Sequence, residues 1–568
     1  MKRTVVFLLP VFLIIFQSCE SPKEVPKKEP PPNIILILGD DMGYSDIGCY
    51  GGEINTPRLD ELAKNGLRFT QFYNGARCCP SRASLLTGLY PQQAGIGHME
   101  YDRGTPAFRG DLSSNAVTIA EALKGAGYST YMSGKWHITP YVIDNPDKGN
   151  WPRQRGFDKF FGIISGAGSH YDPRSLAEDN EYVPPREGFY STTDFTDYAV
   201  KSIEAHKGEN PFFLYLSYTA AHWPMQAPTE AIAKYKGQYD KGWDEMREAR
   251  FERMKKMGLA DEDWELTARD SFVQAWSDEL PDKEWELANM ETYAAMTTLM
   301  DEGIGQVVDA LQAKGQLENT IIFYLQDNGA CAEELDWIKN RPDEKEVVAL
   351  AKNKVQTEMI PFASREGQPV KVMKDGWPGP ADGYTAYGLN WANASNTPFR
   401  EYKHWVHEGG IATPLIVHWP AKIKKGGEFR KTPTHLIDIM ATCVELGGKA
   451  YPANYNGNTI QPMEGKSLVP LMEGKDLERE AIYWEHEGNR AVRMDKWKLI
   501  SKARKKNSYI WDKTDELELA NWELFDMEKD RTEIHDLAAT HPELVNKMAA
   551  MWLEWGKRTG IVPRPEKK

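Results

Sequence analysis

The sequence predicts an α/β protein: a large mixed sheet, mostly parallel and sandwiched by helices, followed by a smaller C-terminal antiparallel sheet with one helix against it. Three observations predict it. Continuous apolar runs such as 33–38 and 320–326 lack the alternation of a half-exposed strand and read as strands buried on both faces. Helical stretches, among them 56–66 and 116–127, alternate with such strands, as in parallel β-α units. After Leu468 the alternation stops, and short strand patterns at 481–484, 491–494 and 497–500 precede a helical stretch over 542–558.

The 568 residues carry 69 basic and 83 acidic side chains, a formal charge of −14, with 41 % hydrophobic and 11 % aromatic residues. That apolar content supplies a sizeable core and excludes a mainly disordered chain. The acidic balance excludes a general nucleic-acid binder, which needs a basic surface to neutralise phosphates. An anionic substrate stays open, because a local pocket can be positive on a negative protein.

The chain opens on a targeting pattern. Lys2 and Arg3 precede the twelve-residue apolar run 5–16, which gives way to Gln17, Ser18 and Cys19. Such a run is too short to cross a hydrocarbon core of about 30 Å as a helix, but it suits the apolar region of a secretory signal. The cysteine directly after it resembles the lipidation site of bacterial lipoproteins. Ser18 fits that pattern, whereas Phe16 and Gln17 stand where Leu and a small residue are usual. An ordinary cleaved signal is the alternative. Residues 1–19 are thus expected to form a lipoprotein-type signal segment. Residues 20–32, with five prolines and six charges, are expected to form an extended linker. The expected location is periplasmic, or anchored through Cys19 to the outer membrane of a bacterium, with the lipid as the only membrane contact.

Each buried strand runs into polar residues. The run 33–38 stops at Gly39-Asp40-Asp41, and 320–326 stops at Asp327-Asn328-Gly329. The run 128–132 leads to Gly134-Lys135-Trp136-His137, and 211–217 leads to His222-Trp223-Pro224. Ligands of open α/β sheets sit beyond the carboxyl ends of the strands. Four strand ends therefore gather Asp40, Asp41, Lys135, His137, His222, Asp327 and Asn328 around one crevice, although singly each reads as well as a loop charge or a cap. Three carboxylates and an amide oxygen are hard ligands, suited to Ca²⁺ or Mg²⁺ rather than zinc. Without a cation the three aspartates would stack like charges, so one bound dication is expected. Calcium is preferred because it tolerates irregular, carboxylate-crowded geometry.

Six cysteines in so long a chain make no disulfide framework. Cys49, Cys331 and Cys443 read as small buried hydrophobes. Cys78 and Cys79 are adjacent, too close for ordinary disulfide geometry, so one of them needs another explanation. They open the segment Cys78-Cys79-Pro80-Ser81-Arg82-Ala83-Ser84-Leu85-Leu86-Thr87-Gly88. Proline suits a first helical position, and Gly88 lies where a helix of about two turns would stop. A nucleophile just before such a start sits among unpaired N–H groups that favour an anion.

This segment resembles the sulfatase signature: Cys-x-Pro-x-Arg, then a small residue, Ser, two apolar residues, Thr and Gly. It fits at every position. Asp40-Asp41, the Lys135 and His137 segment, His222-x-Pro224, Asp327-Asn328, and Lys403 with Glu408-Gly409-Gly410 follow in the family's order. The resemblance runs from about residue 33 to the Trp522–Asp526 segment. The chain is similar to type I, arylsulfatase-like sulfatases of the alkaline phosphatase superfamily. In that family a separate enzyme oxidises the first cysteine to formylglycine, whose hydrated aldehyde is the nucleophile. The resemblance implies that Cys78 is the modified residue and that Cys79 fills the variable position. It implies one Ca²⁺ held by Asp40, Asp41, Asp327, Asn328 and an oxygen derived from Cys78, with Arg82 stabilising the hydrated aldehyde. It places Lys135, His222 and Lys403 around the sulfate and its leaving oxygen, where charge develops. It makes His137 the general base that expels sulfate. His404 and His407 carry no implied role and are expected at the surface or behind the site.

Residues 33–467 are expected to form the catalytic domain and 468–568 a C-terminal subdomain, with no internal repeat. Residues 237–291 read as an acidic, tryptophan-bearing helical stretch, and the long, irregular and highly charged insertion 336–386 is expected to shape substrate access. The resemblance implies an exported hydrolase of sulfate monoesters on sulfated poly- or oligosaccharides, with aryl sulfates as surrogates and a formylglycine-generating or maturase enzyme as partner. The eighteen tryptophans show no platform pattern and read as packing. One alternative is a phosphonate monoester or phosphodiester hydrolase of the same superfamily. The other is a non-catalytic glycan-binding lipoprotein, against which every nucleophile and metal-type residue is present.

Overall fold

The computed structural model describes Met1, Thr4, Val5 and residues 30–142, 147–339, 341–342, 344–502 and 521–562. Most of the expected signal segment, Cys19 included, and most of the expected linker lie outside the described residues. Among the described residues no helix is long and apolar enough to cross a membrane.

An eleven-stranded sheet forms the larger layer. At its centre the strand Asn33–Gly39 pairs in parallel with Thr320–Gln326 on one side and Phe212–Ser217 on the other, and Ser129–Gly134 continues the parallel set. Ala412–His418 runs antiparallel beside Thr320–Gln326 and is followed by Leu67–Tyr73. Both parities of the central strand are apolar because both faces are covered. Ile35 and Ile37 enter one core with Leu59, Phe195 and Met296, while Ile34, Leu36 and Leu38 enter the other with Leu85, Leu123 and Ile439. Each such side chain, buried, contributes about 1.5–3 kcal/mol.

Local signals start the covering helices. Pro57–Asn65 has proline at its first position, and Ile119–Gly125 opens with a capping box between Thr118 and Glu121. The first helix takes a cap from far away: the amides of Arg58 and Leu59 donate to Asp301 at 3.1 and 2.8 Å. Asp301 belongs to Lys283–Ala313, a 31-residue helix that the sequence patterns did not single out. Leu67–Tyr73 also escaped them. Residues 434–446 read in sequence as a helix closed by Gly447-Gly448, but the helix starts later, at Ile437, because Thr434 and His435 pair with Phe72 and Tyr73 as a short strand.

The second sheet is antiparallel in chain order: Ile482–His486, Asn489–Met494, Trp497–Ser501 and Trp522–Asp526. The helix Pro542–Arg558 covers it, with Met548 and Trp552 packed on Val492, Leu499 and Leu524. Buried charges tie this sheet to the larger layer. Lys498 reaches Glu408 and Glu533, each at 2.7 Å.

Candidate active site

The nucleophile motif is a ten-residue helix, Cys78–Thr87, buried throughout and closed by Gly88 at φ 70°. It starts at Cys78, so Pro80 is its third residue rather than its first. Nothing is lost by that shift, because first-turn amides have no partner within a helix. A tight approach aims the helix: Gly75 N donates to Ser81 Oγ at 2.8 Å, and Ala76 N donates to Asn74 Oδ1 at 2.7 Å. Burial raises the Cys78 thiol, but Lys403, Lys135 and His137 outweigh it and bring the thiol down to about 6. Burial pushes its neighbour Cys79 well above the ordinary value. Of the two adjacent cysteines, only Cys78 faces surroundings that favour an anion.

Asp40, Asp41 and Asp327 are fully buried, and their carboxylate oxygens lie within 4.8 Å of one another. The expected excess of like charge is reduced, because three cations already face them. Lys135 Nζ donates to Asp40 Oδ2 at 2.7 Å, and Lys403 Nζ donates to Asp41 Oδ2 at 2.8 Å. Arg82 donates twice to Asp327 Oδ2, from Nε at 3.1 Å and from Nη2 at 2.8 Å. Its Nη1 goes to Ser217 Oγ at 2.5 Å and to the Lys135 carbonyl at 3.2 Å. Arg82 therefore clamps the carboxylate cluster. Burial works to raise Asp41, but Lys403, His222 and Lys135 hold it below the usual range. Burial, and then Asp40, push Asp327 up to about 6.

These cations offset part of the like charge, although Lys403 is shared with Glu333 at 3.7 Å, and the chemical fit to a dication stands. Asn328 Nδ2 donates to Asp41 Oδ1 at 2.7 Å, which leaves Asn328 Oδ1 buried without a hydrogen-bond partner. Asp40 Oδ1 is likewise without a hydrogen bond, with Arg82 Nη2 at 3.3 Å. Three carboxylates, one of them with an oxygen free of hydrogen bonds, and an orphaned amide oxygen are a donor set for a hard cation.

Lys135 and His137 are placed by backbone constraints. Gly134 has φ 105°, and a Cβ there would lie 1.9 Å from the Ser217 carbonyl oxygen, so only glycine lets the two strand ends approach this closely. His137 has φ 56°, and its Nε2 lies 3.0 Å from Glu100 Oε1. Burial opposes charge on this imidazole, yet Glu100 and Cys78 raise its pKa. His222 Nδ1 donates to the Trp223 carbonyl at 2.7 Å, and its Nε2 is 3.3 Å from Asp41 Oδ2. Burial brings His222 down to about 3 and leaves it neutral at pH 7.

The structure thus brings together Cys78, Arg82, Asp40, Asp41, Lys135, His137, His222, Asp327, Asn328 and Lys403. His404 and His407 are both buried, so a surface position is excluded. His404 lies 3.0 Å from Glu333 and 2.9 Å from Glu487, which also pair with Arg77, the residue before Cys78. Glu100, Glu333 and Glu487 come from loops and a hairpin turn with no periodicity, so sequence patterns could not flag them.

A family model described as Sulfatase matches residues 32–449, and one described as N-sulphoglucosamine sulphohydrolase, C-terminal, matches residues 401–554. An uncharacterised sulfatase of Schizosaccharomyces pombe is 32 % identical over 94 % of this chain and 95 % of its own. An arylsulfatase of Klebsiella aerogenes is 32 % identical over 79 % of this chain and 94 % of its own. The solved structure of Ps i-CgsB in complex with k-i-k-neocarrahexaose has a TM-score of 0.63 at 24 % identity, covering 95 % of each chain. The signature helix, the clustered aspartates and these likenesses lead to one conclusion: the chain belongs to the sulfatase family, type I, of the alkaline phosphatase superfamily, and is a sulfuric ester hydrolase.

Proposed function

We propose that the protein removes sulfate from sulfated oligo- or polysaccharides by way of a formylglycine made from Cys78 by a separate maturation enzyme. The observation that carries this is the setting of Cys78. It starts a buried helix, lysines and a histidine favour an anion there, and the carboxylate cluster lies within their reach. Asp40, Asp41, Asp327, Asn328 and an oxygen on the modified Cys78 would hold Ca²⁺, which when bound supplies Lewis acidity toward a hydroxyl and a sulfate oxygen.

The chain's own residues do the rest. Lys135 and Lys403 offer fixed positive charge where the sulfuryl group and its leaving oxygen sit. Neutral His222, its Nδ1–H committed to the Trp223 carbonyl, presents Nε2 beside Lys403 and Asp41. Arg82 keeps the Asp327 carboxylate oriented. His137 takes up the proton whose loss releases sulfate and restores the aldehyde. A saccharide substrate is supported by the structural neighbour solved with k-i-k-neocarrahexaose. Export and lipid attachment at Cys19 remain part of this proposal, on the sequence of residues 1–32 alone.

Accurate-mass spectrometry of the Cys78 peptide tests the proposal, using protein from a host that forms formylglycine and an aldehyde-reactive tag. It is paired with sulfate release from an aryl sulfate and from sulfated oligosaccharides, against a phosphonate monoester control. A modified Cys78, with activity lost in Cys78→Ala, supports it. An encoded thiol in fully active protein overturns it.

A further inference from the structure

We propose that Glu100 is the positioning residue for His137, completing a relay of nucleophile, base and carboxylate. The inference rests on the formylglycine reading and adds to it a residue outside the family's signature. Glu100 lies in the loop between Cys78–Thr87 and Ile119–Gly125. Backbone bonds pin that loop: Gly97 N to the Ala107 carbonyl at 2.9 Å, Tyr101 N to Met99 at 2.8 Å, and Gly110 N to Gly95 at 3.1 Å. Its carboxylate, only 15 % exposed, meets His137 Nε2 at 3.0 Å. His137 N donates to the Ile164 carbonyl at 3.1 Å, and Gly166 packs over the same Nε2 end of the ring, where a Cβ would lie 2.1 Å from that atom. The imidazole is thus held in a left-handed backbone position against a carboxylate and a glycine, beside the Cys78 side chain.

A base held by a third group is the general logic of activated nucleophiles. Neutral His137 donates Nε2–H to Glu100, which fixes the tautomer and ring plane. When the ring accepts the proton of the second hydroxyl on the sulfated side chain, that O–H electron pair forms the C=O bond. The C–O bond to sulfate breaks, sulfate leaves with its pair, and the proton stays on His137. Charge is conserved: one anion and a neutral imidazole become sulfate dianion and imidazolium. Glu100 is already in contact with the imidazolium that forms.

The test uses Glu100→Gln and Glu100→Asp in the full-length protein, with an aryl sulfate as probe. A positioned base is worth about 10²–10⁴-fold, of which loss of its carboxylate partner should remove about 10- to 100-fold in kcat with KM changed less than threefold. Glu100→Asp should recover part of the loss. Samples quenched during turnover should show the sulfated Cys78 peptide accumulating in Glu100→Gln. The second measurement needs no modification: ¹⁵N-histidine spectra, with His137 assigned through His137→Gln, should show its Nε2 shift move in Glu100→Gln. An unchanged kcat, a rise in KM alone, or an unmoved His137 signal overturns the proposal. If wild-type protein is active with an unmodified thiol, the formylglycine reading fails instead, and the histidine spectrum still decides whether Glu100 holds His137.

Discussion

Lys498→Met probes the buried charges that fasten the C-terminal sheet to the segment behind Lys403. Lys498 is fully buried and donates at 2.7 Å to both Glu408 Oε1 and Glu533 Oε1. Arg531 Nε donates to Glu408 Oε2 at 3.0 Å, so two carboxylates face two cations away from water. Methionine keeps the apolar stem and removes the charge, leaving two buried carboxylates with one guanidinium. Breaking a buried pair from one side costs about 3–5 kcal/mol. At roughly 2–4 °C per kcal/mol, the scale for domains of 150–250 residues, the melting temperature falls by about 6–20 °C. Circular dichroism at a fixed scan rate measures it, with sulfate release followed in parallel. Lys498→Met/Glu533→Gln, in which Glu408 and Arg531 balance again, should recover much of the loss. A melting temperature within about 2 °C of wild type would refute the reasoning, because the desolvated carboxylates would then cost nothing measurable.

The same network has a defined pH window. Burial opposes the Glu408 anion, but Lys498 and Arg531 outweigh it and lower its pKa. Its contribution is therefore present above the ordinary value of 4.5 and is lost as pH falls through the folded value. Burial opposes charge on Lys498, but Glu408 and Glu533 raise its pKa from 10.5, so its contribution is present below 10.5 and lost as pH rises through the folded value. Wild-type stability from this network should thus plateau between those limits, and Lys498→Met should flatten the dependence.

Other expectations concern the site and one helix start. In Gly166→Ala the new Cβ would fall 2.1 Å from His137 Nε2. The ring must move, and kcat should fall by up to about 10²-fold while the melting curve shifts little; unchanged kcat would show that His137 is not held there. Dialysis against a chelator should abolish sulfate release and lower the melting temperature, with Ca²⁺ restoring both better than Mg²⁺. Full activity in metal-free protein would exclude the ion. Asp301→Ala strips the cap from the amides of Arg58 and Leu59 and should cost about 1–3 kcal/mol. Hydrogen exchange should quicken at those two amides, and unaltered protection there would show that the cap is dispensable.

Much of the architecture was legible because local chemistry carries it. A strand apolar in both parities must be covered on both faces, which located Asn33–Gly39 and Thr320–Gln326 and, at their ends, Asp40, Asp41, Asp327 and Asn328. Leu67–Tyr73 was missed because Arg68, Thr70 and Gln71 interrupt its apolar pattern. The expectation that three aspartates need a dication to offset their charge rested on counting only the acids. Lys135, Lys403 and Arg82 reach the cluster from elsewhere in the chain and offset part of that charge.

By itself the sequence determined the strands that are apolar on both faces, the signature helix with its terminating Gly88, and the chemical type of each strand-end residue, since all are set by neighbours within a few turns. The tertiary structure alone decided the contacts. It turned Arg82 onto a carboxylate 245 positions away, set Lys403 on Asp41 across 362, and delivered Glu100 to His137. It also gave the adjacent Cys78 and Cys79 opposite electrostatic settings, placing one against two lysines and the other, buried, beside the Glu100 carboxylate. Electrostatic and hydrogen-bond energies depend on distances of a few ångströms and on exclusion of water. Those are properties of packing between elements, and no local spacing encodes them.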